Sequence, residues 1–193
     1  MTRVALFGGS FNPPHVAHQL VALYVLETQP VDELWFVPVW EHVFGKVLAP
    51  YEDRIAMCEL AARALGPRAK VDRAEAELAR QPGFQGSRTL DLIEMLIATR
   101  PGIQPRLVIG TDILAETAKW YRWDAVTAAA PLIVIGRPGH PLPDGSTATG
   151  VAMPAISSTD IRAALADRSR EAQLPSLLPA SVLEYIDSRQ LYR

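Results

Sequence analysis

The sequence predicts an α/β fold in which a doubly wound parallel sheet carries a small helical C-terminal extension. Short apolar runs alternate with longer segments whose apolar residues recur every three or four positions, which is typical of strands joined by crossover helices. The chain has 193 residues, enough for about one domain with a sizeable core. It contains no internal repeat and no linker-like segment. We therefore predict a single domain over residues 1–193, with an α/β core at 1–155 and a helical part at 156–193.

The individual elements follow from the same patterns. Six strands are expected, at residues 4–7, 34–37, 69–71, 107–109, 132–135 and 151–153. Helical periodicity and start and stop signals predict helices near 15–28, 53–65, 88–99, 112–129, 158–167 and 179–188. Segments 40–52 and 136–150 show neither the alternation of a strand nor the three-to-four-residue period of a helix. Both are long enough to be functional loops. In such Rossmann-like sheets, ligands bind beyond the carboxyl ends of the strands, so the residues after the first and fourth strands are the first candidates for a site.

Composition excludes several classes of protein. Nineteen Lys and Arg against 21 Asp and Glu argue against a basic stripe for nucleic acid, and 49% hydrophobic residues exclude a disordered chain. No apolar run reaches the roughly 20 residues of a membrane span, and the N-terminal run is too short for a signal peptide. The single cysteine, Cys58, cannot form an internal disulfide, so we expect a cytoplasmic protein. The sequence leaves the oligomeric state open and is compatible with a homo-oligomer.

Chemistry-bearing residues follow the first predicted strand. Gly8 and Gly9 allow close backbone approach to a ligand, and the helix that begins near His15 presents free amides that suit a phosphate. His15 and His18 are three residues apart, so they share one face of the first helical turn. Each feature alone is more often structural, and this histidine spacing also suits a metal with a third ligand. Together they favour a nucleotide phosphate site.

Two further segments carry polar groups that suit a nucleotide. A Ser-Ser-Thr-Asp run at 157–160 is a helix start with Arg162 about one turn in, which suits a polyphosphate as well as it suits a plain capped helix. The fourth strand ends in Gly110-Thr111-Asp112, where an aspartate often only caps a helix. Trp120 and Trp123 are three residues apart, a spacing more typical of core than of a stacking platform.

These segments together resemble a known family. Gly-Ser-Phe-Asn-Pro-Pro-His-x-x-His, at 9–18, resembles the signature of the nucleotidyltransferases that carry a T/H-x-G-H motif, with Ala17 where glycine is usual. Ile-Ser-Ser-Thr-x-Ile-Arg, at 156–162, resembles their second signature. Gly-x-Asp followed by Trp-Tyr-x-Trp, and the closing stretch 177–193, are similar to the bacterial nicotinate mononucleotide adenylyltransferases. The similarity covers nearly the whole chain.

The resemblance implies transfer of AMP from ATP to nicotinate mononucleotide, which gives deamido-NAD and pyrophosphate in NAD biosynthesis. It implies Mg²⁺ bound mainly through the ATP phosphates, with no metal site in the protein. The implied catalytic residues are His18, His15 and Arg162. The residues assigned to ATP are Gly8, Gly9, Ser10, Phe11, His15, His18, Gly110, Asp112, Ser157, Ser158, Thr159 and Arg162. Those assigned to the mononucleotide are Asn12, Lys46, Thr89, Trp120, Tyr121 and Arg137.

Two departures from the family pattern leave the pyridine substituent open. Residues 40–54 lack the usual Pro-Pro-His-Lys, and Ser87-Arg88-Thr89 replaces Ser-Tyr-Thr, so a nicotinamide mononucleotide or dual-specificity enzyme is the alternative. A phosphopantetheine adenylyltransferase, a cytidylyltransferase and a non-catalytic nucleotide-binding module are the more distant readings.

Overall fold

A computed structural model describes residues 1–41, 47–84, 86–114, 116–140, 148–167 and 173–193. Within them lie the strands β1 (Thr2–Gly9), β2 (Glu33–Pro38), β3 (Ala69–Val71), β4 (Ile103–Gly110), β5 (Leu132–Gly136) and β6 (Ala148–Ala152). They form one sheet in the order β3-β2-β1-β4-β5-β6, and every neighbouring pair is parallel. The doubly wound fold is thereby confirmed. The strand order reverses between β1 and β4, which places the expected ligand crevice there.

Helices cover both faces of this sheet. They are α1 (Val16–Thr28), α2 (Tyr51–Arg63), α3 (Ala74–Ala79), α4 (Thr89–Thr99), α5 (Thr111–Leu114), α6 (Trp123–Ala129), α7 (Ser158–Ala166), α8 (Leu174–Leu177) and α9 (Ala180–Arg189). Alternate residues of a strand point to opposite faces. Ala5 of β1 therefore packs with α1 and α2, whereas Val4 and Leu6 pack with α3, α4 and α6. No helix in these described segments is long and apolar enough to cross a bilayer.

The C-terminal part packs on the sheet domain through α2. Met57 and Ala61 of α2 form a buried cluster with Ile161, Val182 and Ile186 of α7 and α9. Removing these apolar side chains from water stabilises the attachment of the C-terminal helices. The extension is thus held against the same helix that covers one face of the sheet.

The predicted helix over 112–129 is wrong. The chain there forms α5, a single turn of 3₁₀ helix at Thr117–Lys119, and α6. Trp120 is extended and Arg122 is left-handed, with φ 49°, so the backbone cannot continue as one helix. The apolar period persists across the breaks because Ile113, Trp120 and Trp123 all pack against the same core cluster. Periodicity therefore predicted burial correctly and continuity wrongly.

Several predicted bounds also shift. β4 begins at Ile103 rather than 107, because Pro105 pairs with β1 on one side and the β5 pairing starts only at Leu107. β6 spans 148–152 rather than 151–153, and the short helices α3 and α8 were not expected. Of the expected loops, 40–52 ends at Tyr51 where α2 begins, and residues 42–46 and 141–147 lie outside the described residues.

One buried arginine fixes the loops that follow β1 and β2. Arg54 of α2 is 1% exposed, and its Nη1 donates to the Ser10 carbonyl at 3.0 Å and to the Val39 carbonyl at 2.8 Å. Its Nη2 donates to the Trp40 carbonyl at 3.2 Å, and its Nε donates to the Ala49 carbonyl at 3.0 Å. Buried carbonyls need donors, and a planar guanidinium supplies several at once.

We predict that Arg54→Met lowers the free energy of unfolding by about 3 kcal/mol, because it leaves several buried carbonyls without donors. Urea unfolding measures the change. Arg63→Met, at an exposed arginine of the same helix, is the matched control and is expected to stay within about 0.5 kcal/mol of the parent chain. Equal effects of the two substitutions would contradict the role given to Arg54.

Candidate active site

A cavity of about 590 Å³ opens at the carboxyl ends of β1 and β4, where the strand order reverses. Two groups of elements line it. The first group is the end of β1, the start of α1 and the ends of β4 and β5, and it contributes Gly8, Gly9, Ser10, His15, His18, Gly110, Asp112 and Arg137. The second group comes from α3, the start of α4 and the segment after α5, and it contributes Glu75, Arg88, Thr89, Trp120 and Tyr121. Residues predicted from separate strand ends thus meet around one space.

Gly9 lets the chain fold back over the end of β1. A Cβ there would lie 3.2 Å from the Phe11 ring, closer than a well-packed contact. Phe11 has φ 45° and is buried, with its ring edge-on to Phe7 and Phe36. Its ring centroid lies 5.0 Å from that of His18. Phe11, expected to contact ATP, is therefore placed beneath His18 rather than in the cavity lining.

The two histidines form a stacked pair. Their ring centroids are 3.7 Å apart, and the backbone N–H of His15 donates to Nδ1 of His18 at 3.1 Å. An Nδ1 that accepts a hydrogen bond carries no proton, so the neutral His18 ring holds its proton on Nε2. Nδ1 of His15 is buried and has no hydrogen-bond partner among the described residues. The pair thus keeps polar atoms available for a ligand.

Both rings are neutral at pH 7 in the ligand-free chain. Burial, with a smaller contribution from the nearby Arg137 charge, lowers the pKa of His15 to about 4. Burial also lowers the pKa of His18 well below its ordinary value, with His15 and Arg137 adding to the effect. Imidazoles with lowered pKa values beside the positive charge of Arg137 are typical of a functional site. An anionic ligand bound here would offset the Arg137 charge.

The end of β4 carries a carboxylate held by Arg137. Nη1 of Arg137 donates to Oδ2 of Asp112 at 2.8 Å, and its backbone N–H donates to Oγ1 of Thr111 at 2.9 Å. Oδ1 of Asp112 is buried and has no partner among the described residues. A Cβ at Gly110 would clash with this oxygen and lie 3.0 Å from Cδ of Arg137. Arg137, assigned to the mononucleotide from sequence, therefore lies beside the carboxylate assigned to ATP.

The second motif lies against the loop of the first motif. Oγ of Ser157 accepts the Asp160 N–H at 3.1 Å and caps α7, while Oγ of Ser158 donates to the Pro13 carbonyl at 2.9 Å. Nη1 of Arg162 donates to the Asn12 carbonyl at 2.8 Å, and its Nη2 lies 3.4 Å from Oγ1 of Thr159. None of Ser157, Ser158, Thr159 and Arg162 is among the described residues that line the cavity. Ser158 and Arg162 bind the loop that joins β1 to α1, whereas Ser157 and Thr159 bond within α7.

Asn12 is a buried junction between distant parts of the chain. Its Oδ1 accepts from the Ala49 N–H and from the Tyr192 hydroxyl, both at 2.9 Å, and its Nδ2 donates to the Val47 carbonyl at 3.3 Å. With 3% exposure and these three contacts, its side chain faces away from the main cavity. Its assignment to the mononucleotide stays a prediction. Lys46, assigned to the same ligand, lies outside the described residues.

Aromatic rings line the second part of the cavity. Trp120 is half-buried and lies edge-on to Trp123, with ring centroids 5.3 Å apart, and Trp123 packs against the core behind it. The Arg88 guanidinium lies 4.5 Å from the centroid of the Tyr121 ring. Thr89 begins α4 beside them. Such a wall of aromatic faces suits a planar heterocycle.

Sequence reasoning missed two buried polar residues, Glu75 in the cavity wall and Arg54 on the loops after β1 and β2. Glu75 is buried in the cavity wall, its Oε2 accepts the Trp40 N–H at 3.3 Å, and burial raises its pKa. No pattern marked Glu75, because its short helix was not expected. Arg54 did have a signal, since it shares the apolar stripe of its helix with Cys58 and Ala61.

Comparisons with known proteins agree with this geometry. The family model described as cytidylyltransferase-like matches residues 6–164. A relative from Anaeromyxobacter dehalogenans named "probable nicotinate-nucleotide adenylyltransferase" is 52% identical over 190 residues, covering 98% of this chain and 96% of the relative. A relative of the same name from Myxococcus xanthus is 39% identical, covering 98% and 94%.

A solved structure shares the fold. The nicotinic acid mononucleotide adenylyltransferase of Plasmodium falciparum, complexed with NaAD, superposes with a TM-score of 0.82 at 17% identity, covering 100% of this chain and 98% of that one. At this identity the likeness concerns the fold alone.

We predict that the ligand-free chain loses stability as the pH falls from about 6.5 to about 4. The unfolded chain binds a proton at His15 near pH 6.5, whereas the folded chain does so only near pH 4. The His15 contribution is therefore full above pH 6.5 and about 3 kcal/mol smaller below pH 4. Urea unfolding between pH 7 and pH 4 is expected to show a shallower decline for His15→Gln. Superimposable pH profiles of the parent and the variant would refute the buried neutral imidazole.

Proposed function

This chain belongs to the cytidylyltransferase-like family and, within it, to the nicotinate-nucleotide adenylyltransferases, and from this we propose that it transfers AMP from ATP to nicotinate mononucleotide. The products are deamido-NAD and pyrophosphate. The reaction is a step in NAD biosynthesis. The observation that carries this proposal is that one cavity joins the paired histidines and Asp112 to the aromatic wall at Trp120. The polar part of this cavity suits phosphate groups and the aromatic part suits a planar ring, so two nucleotides can bind there close enough to react.

In the proposed reaction, a 5′-phosphate oxygen of the mononucleotide attacks the α-phosphorus of ATP. The new oxygen–phosphorus bond forms as the bond from the α-phosphorus to the bridging oxygen breaks, and pyrophosphate leaves with that electron pair. A phosphate monoester has a second pKa of about 6 and is mostly ionised at pH 7. No general base is needed, so the protein's task is to align two anions and to stabilise the charge that develops.

His18 is the group we place on the reacting phosphoryl oxygen. Its Nδ1 is occupied by the His15 N–H, which directs the protonated Nε2 away from the backbone as a donor. His15 adds a second imidazole whose Nδ1 is still without a protein partner in the described part of the chain. Arg162 holds the loop between β1 and α1 through the Asn12 carbonyl, and we keep it as a catalytic candidate on the resemblance.

The mononucleotide is expected at the aromatic wall. The half-buried Trp120 offers a ring face for the pyridine, with Thr89 and Tyr121 beside it. ATP is expected at the β1 and β4 ends, where Gly8 to Ser10 and Gly110 admit close backbone approach and Asp112 offers an oxygen to ribose hydroxyls. These assignments place the two phosphate groups near the histidine pair.

Magnesium is proposed to enter with ATP. Among the described side chains, no cluster of three or more His, Cys, Asp or Glu is placed to cage a metal ion. Mg²⁺ usually keeps several waters and binds through substrate phosphates, so the ATP phosphates are expected to hold the ion in this cavity. When bound, the ion would neutralise phosphate charge.

Three further expectations concern the cellular compartment, the number of domains and the oligomeric state. The cytoplasm stays our predicted compartment, since the single cysteine, Cys58, cannot form an internal disulfide. One domain spanning 1–193 and compatibility with a homo-oligomer also remain predictions.

Pyrophosphate release from ATP and Mg²⁺ tests the reaction directly. Nicotinate mononucleotide is expected to support turnover at least about tenfold faster than nicotinamide mononucleotide, as measured by kcat/KM. Phosphopantetheine with ATP, and CTP with either mononucleotide, are the controls for the alternative readings. Turnover with phosphopantetheine and with neither pyridine nucleotide would contradict the proposal, and no turnover with any pair would favour the non-catalytic module.

His18→Asn is predicted to lower kcat by about 100-fold or more. The shorter amide can still accept the His15 N–H at the Nδ1 position, but it loses the Nε2 donor that the transition state uses. Steady-state pyrophosphate release measures kcat, and His140→Ala removes an exposed imidazole as the control. A folded His18→Asn enzyme with kcat within about threefold of the parent would exclude this role.

A further inference from the structure

Arg137 follows β5 directly, at the point where the pairing of β5 with β4 ends. The last register pair of these two strands is Gly110 with Ile135. Beyond it, the backbone N–H of Arg137 donates to a side chain, Oγ1 of Thr111, at 2.9 Å. Thr111 is 3% exposed, so this hydrogen bond is shielded from water. Since a buried N–H without an acceptor is costly, the Thr111 hydroxyl fixes the backbone of Arg137 at this point.

The next peptide group of Arg137 is fixed as well. Its carbonyl accepts the His140 N–H at 3.1 Å, which closes a tight turn. Pro138 is the second residue of this turn, and Gly139 is the third, with φ 81°, a combination typical of a type II turn. The backbone of Arg137 is thus held on one side by Thr111 and on the other side by the turn that it begins.

The side chain of Arg137 is directed by the two neighbours of Thr111. Its Nη1 donates to Oδ2 of Asp112 at 2.8 Å. Gly110 leaves room for the aliphatic part of the side chain, since a Cβ there would lie 3.0 Å from Cδ of Arg137. Three consecutive residues at the end of β4 therefore provide a space, a backbone acceptor and a charge partner for one arginine.

The guanidinium lies at the part of the cavity that holds the histidine pair. Arg137, His15 and His18 line the same space, and the Arg137 charge is close enough to lower the pKa of both imidazoles. A guanidinium has five N–H donors, so its bond to Asp112 leaves it able to bind a phosphate as well. Because the reaction joins two anionic groups, a cation here helps to align them and offsets their repulsion.

We propose that Thr111 is a positioning residue, which holds the Arg137 guanidinium where it meets the reacting phosphates. The proposal rests on the adenylyl transfer proposed above and adds a residue to it. The family resemblance concerns Gly110 and Asp112, and it leaves the residue between them without a role. Thr111 is not among the described residues that line the cavity, so its hydroxyl acts through Arg137 and not on a substrate.

The ion pair with Asp112 would by itself hold the guanidinium only weakly. The Arg137 side chain is 41% exposed, and ion pairs open to water contribute little because solvent screens them. A long side chain also loses rotamer freedom when it is held in one place. The buried hydrogen bond to Thr111 fixes where the side chain begins, so the contact with Asp112 can select a single arrangement.

The test is a double-mutant cycle in kcat/KM for nicotinate mononucleotide, with ATP and Mg²⁺ saturating for each variant. Thr111→Val keeps the shape of the side chain and removes the acceptor of the Arg137 N–H. It is expected to lower kcat/KM by about 5- to 30-fold. Arg137→Gln removes the guanidinium itself. It is expected to lower kcat/KM by about 10- to 100-fold, because a hydrogen bond from a charged group to phosphate is lost.

The double variant decides whether Thr111 acts through Arg137. In the Arg137→Gln background, Thr111→Val is expected to change kcat/KM by less than about twofold, because no guanidinium is left to position. In the parent background, the loss in Thr111→Val is expected to divide between KM and kcat in the same proportion as the loss in Arg137→Gln. Losses that multiply in the double variant, or a different division, would mean that Thr111 only supports the fold and would overturn the proposal.

Two further variants serve as rescue and as control. Thr111→Ser restores a hydroxyl acceptor and is expected to keep kcat/KM within about threefold of the parent chain, whereas a loss as large as that of Thr111→Val would contradict the proposal. Thr127→Val removes a hydroxyl that donates to the Asp124 carbonyl of α6, at a threonine outside the described cavity lining. It is expected to leave kcat/KM within about twofold. If thermal unfolding shows that Thr111→Val does not fold, Thr111→Ala replaces it with the same expectations.

The outcomes also separate this proposal from the function on which it rests. A parent chain that releases no pyrophosphate with either mononucleotide would contradict the adenylyl transfer. Crystal structures of the variants test the placement of Arg137 without turnover. The 2.8 Å contact from Nη1 of Arg137 to Oδ2 of Asp112 is expected to persist in Thr111→Ser and to be broken in Thr111→Val. An unchanged contact in Thr111→Val would overturn the role of Thr111.

Discussion

The buried guanidinium of Arg54 holds the carboxyl-terminal loops of the sheet in one arrangement, and the cavity depends on that arrangement. Parallel strands end in loops whose carbonyls have no ladder partner, and once buried these carbonyls need donors from elsewhere. Arg54 supplies them to Ser10, Val39, Trp40 and Ala49 from a single rigid plane. The turn after β1 can then lie back over the strand, which puts Phe11 beneath His18 and fixes the histidine pair at the cavity.

The same loop also receives the end of the chain. The Tyr192 hydroxyl reaches the side chain of Asn12, and Arg162 reaches the carbonyl of the same residue. The apolar cluster around Met57 holds α7 and α9 close enough for both contacts. The C-terminal helices are therefore part of the architecture of the site, because they position the loop that carries His15 rather than contributing to the cavity wall.

How far the sequence could predict this structure depended on the range of the interactions. Periodicity and strand ends are local signals, and they predicted the doubly wound sheet and the approach of His15, His18 and Gly110 to one another. Trp120 was expected at the site only from the family resemblance, since its spacing to Trp123 favoured the core. Periodicity could not reveal the breaks in 112–129, since the apolar positions stay in phase while the left-handed backbone at Arg122 has no sequence signature. Asn12 is joined to Tyr192 across 180 positions, and Glu75 is buried by a helix too short to recognise, so neither role was readable in advance.

Two kinds of environment meet in this cavity, an imidazole pair beside Asp112 and Arg137 and an aromatic wall that carries Arg88. Their juxtaposition is the central feature, because adenylyl transfer needs both nucleotides in one space. The most direct measurement is a crystal structure of the chain with deamido-NAD. We predict the pyridine ring against Trp120, the pyrophosphate beside His15 and His18, and the adenosine ribose at Asp112. A dinucleotide bound in the reverse direction, or outside the cavity, would contradict this arrangement.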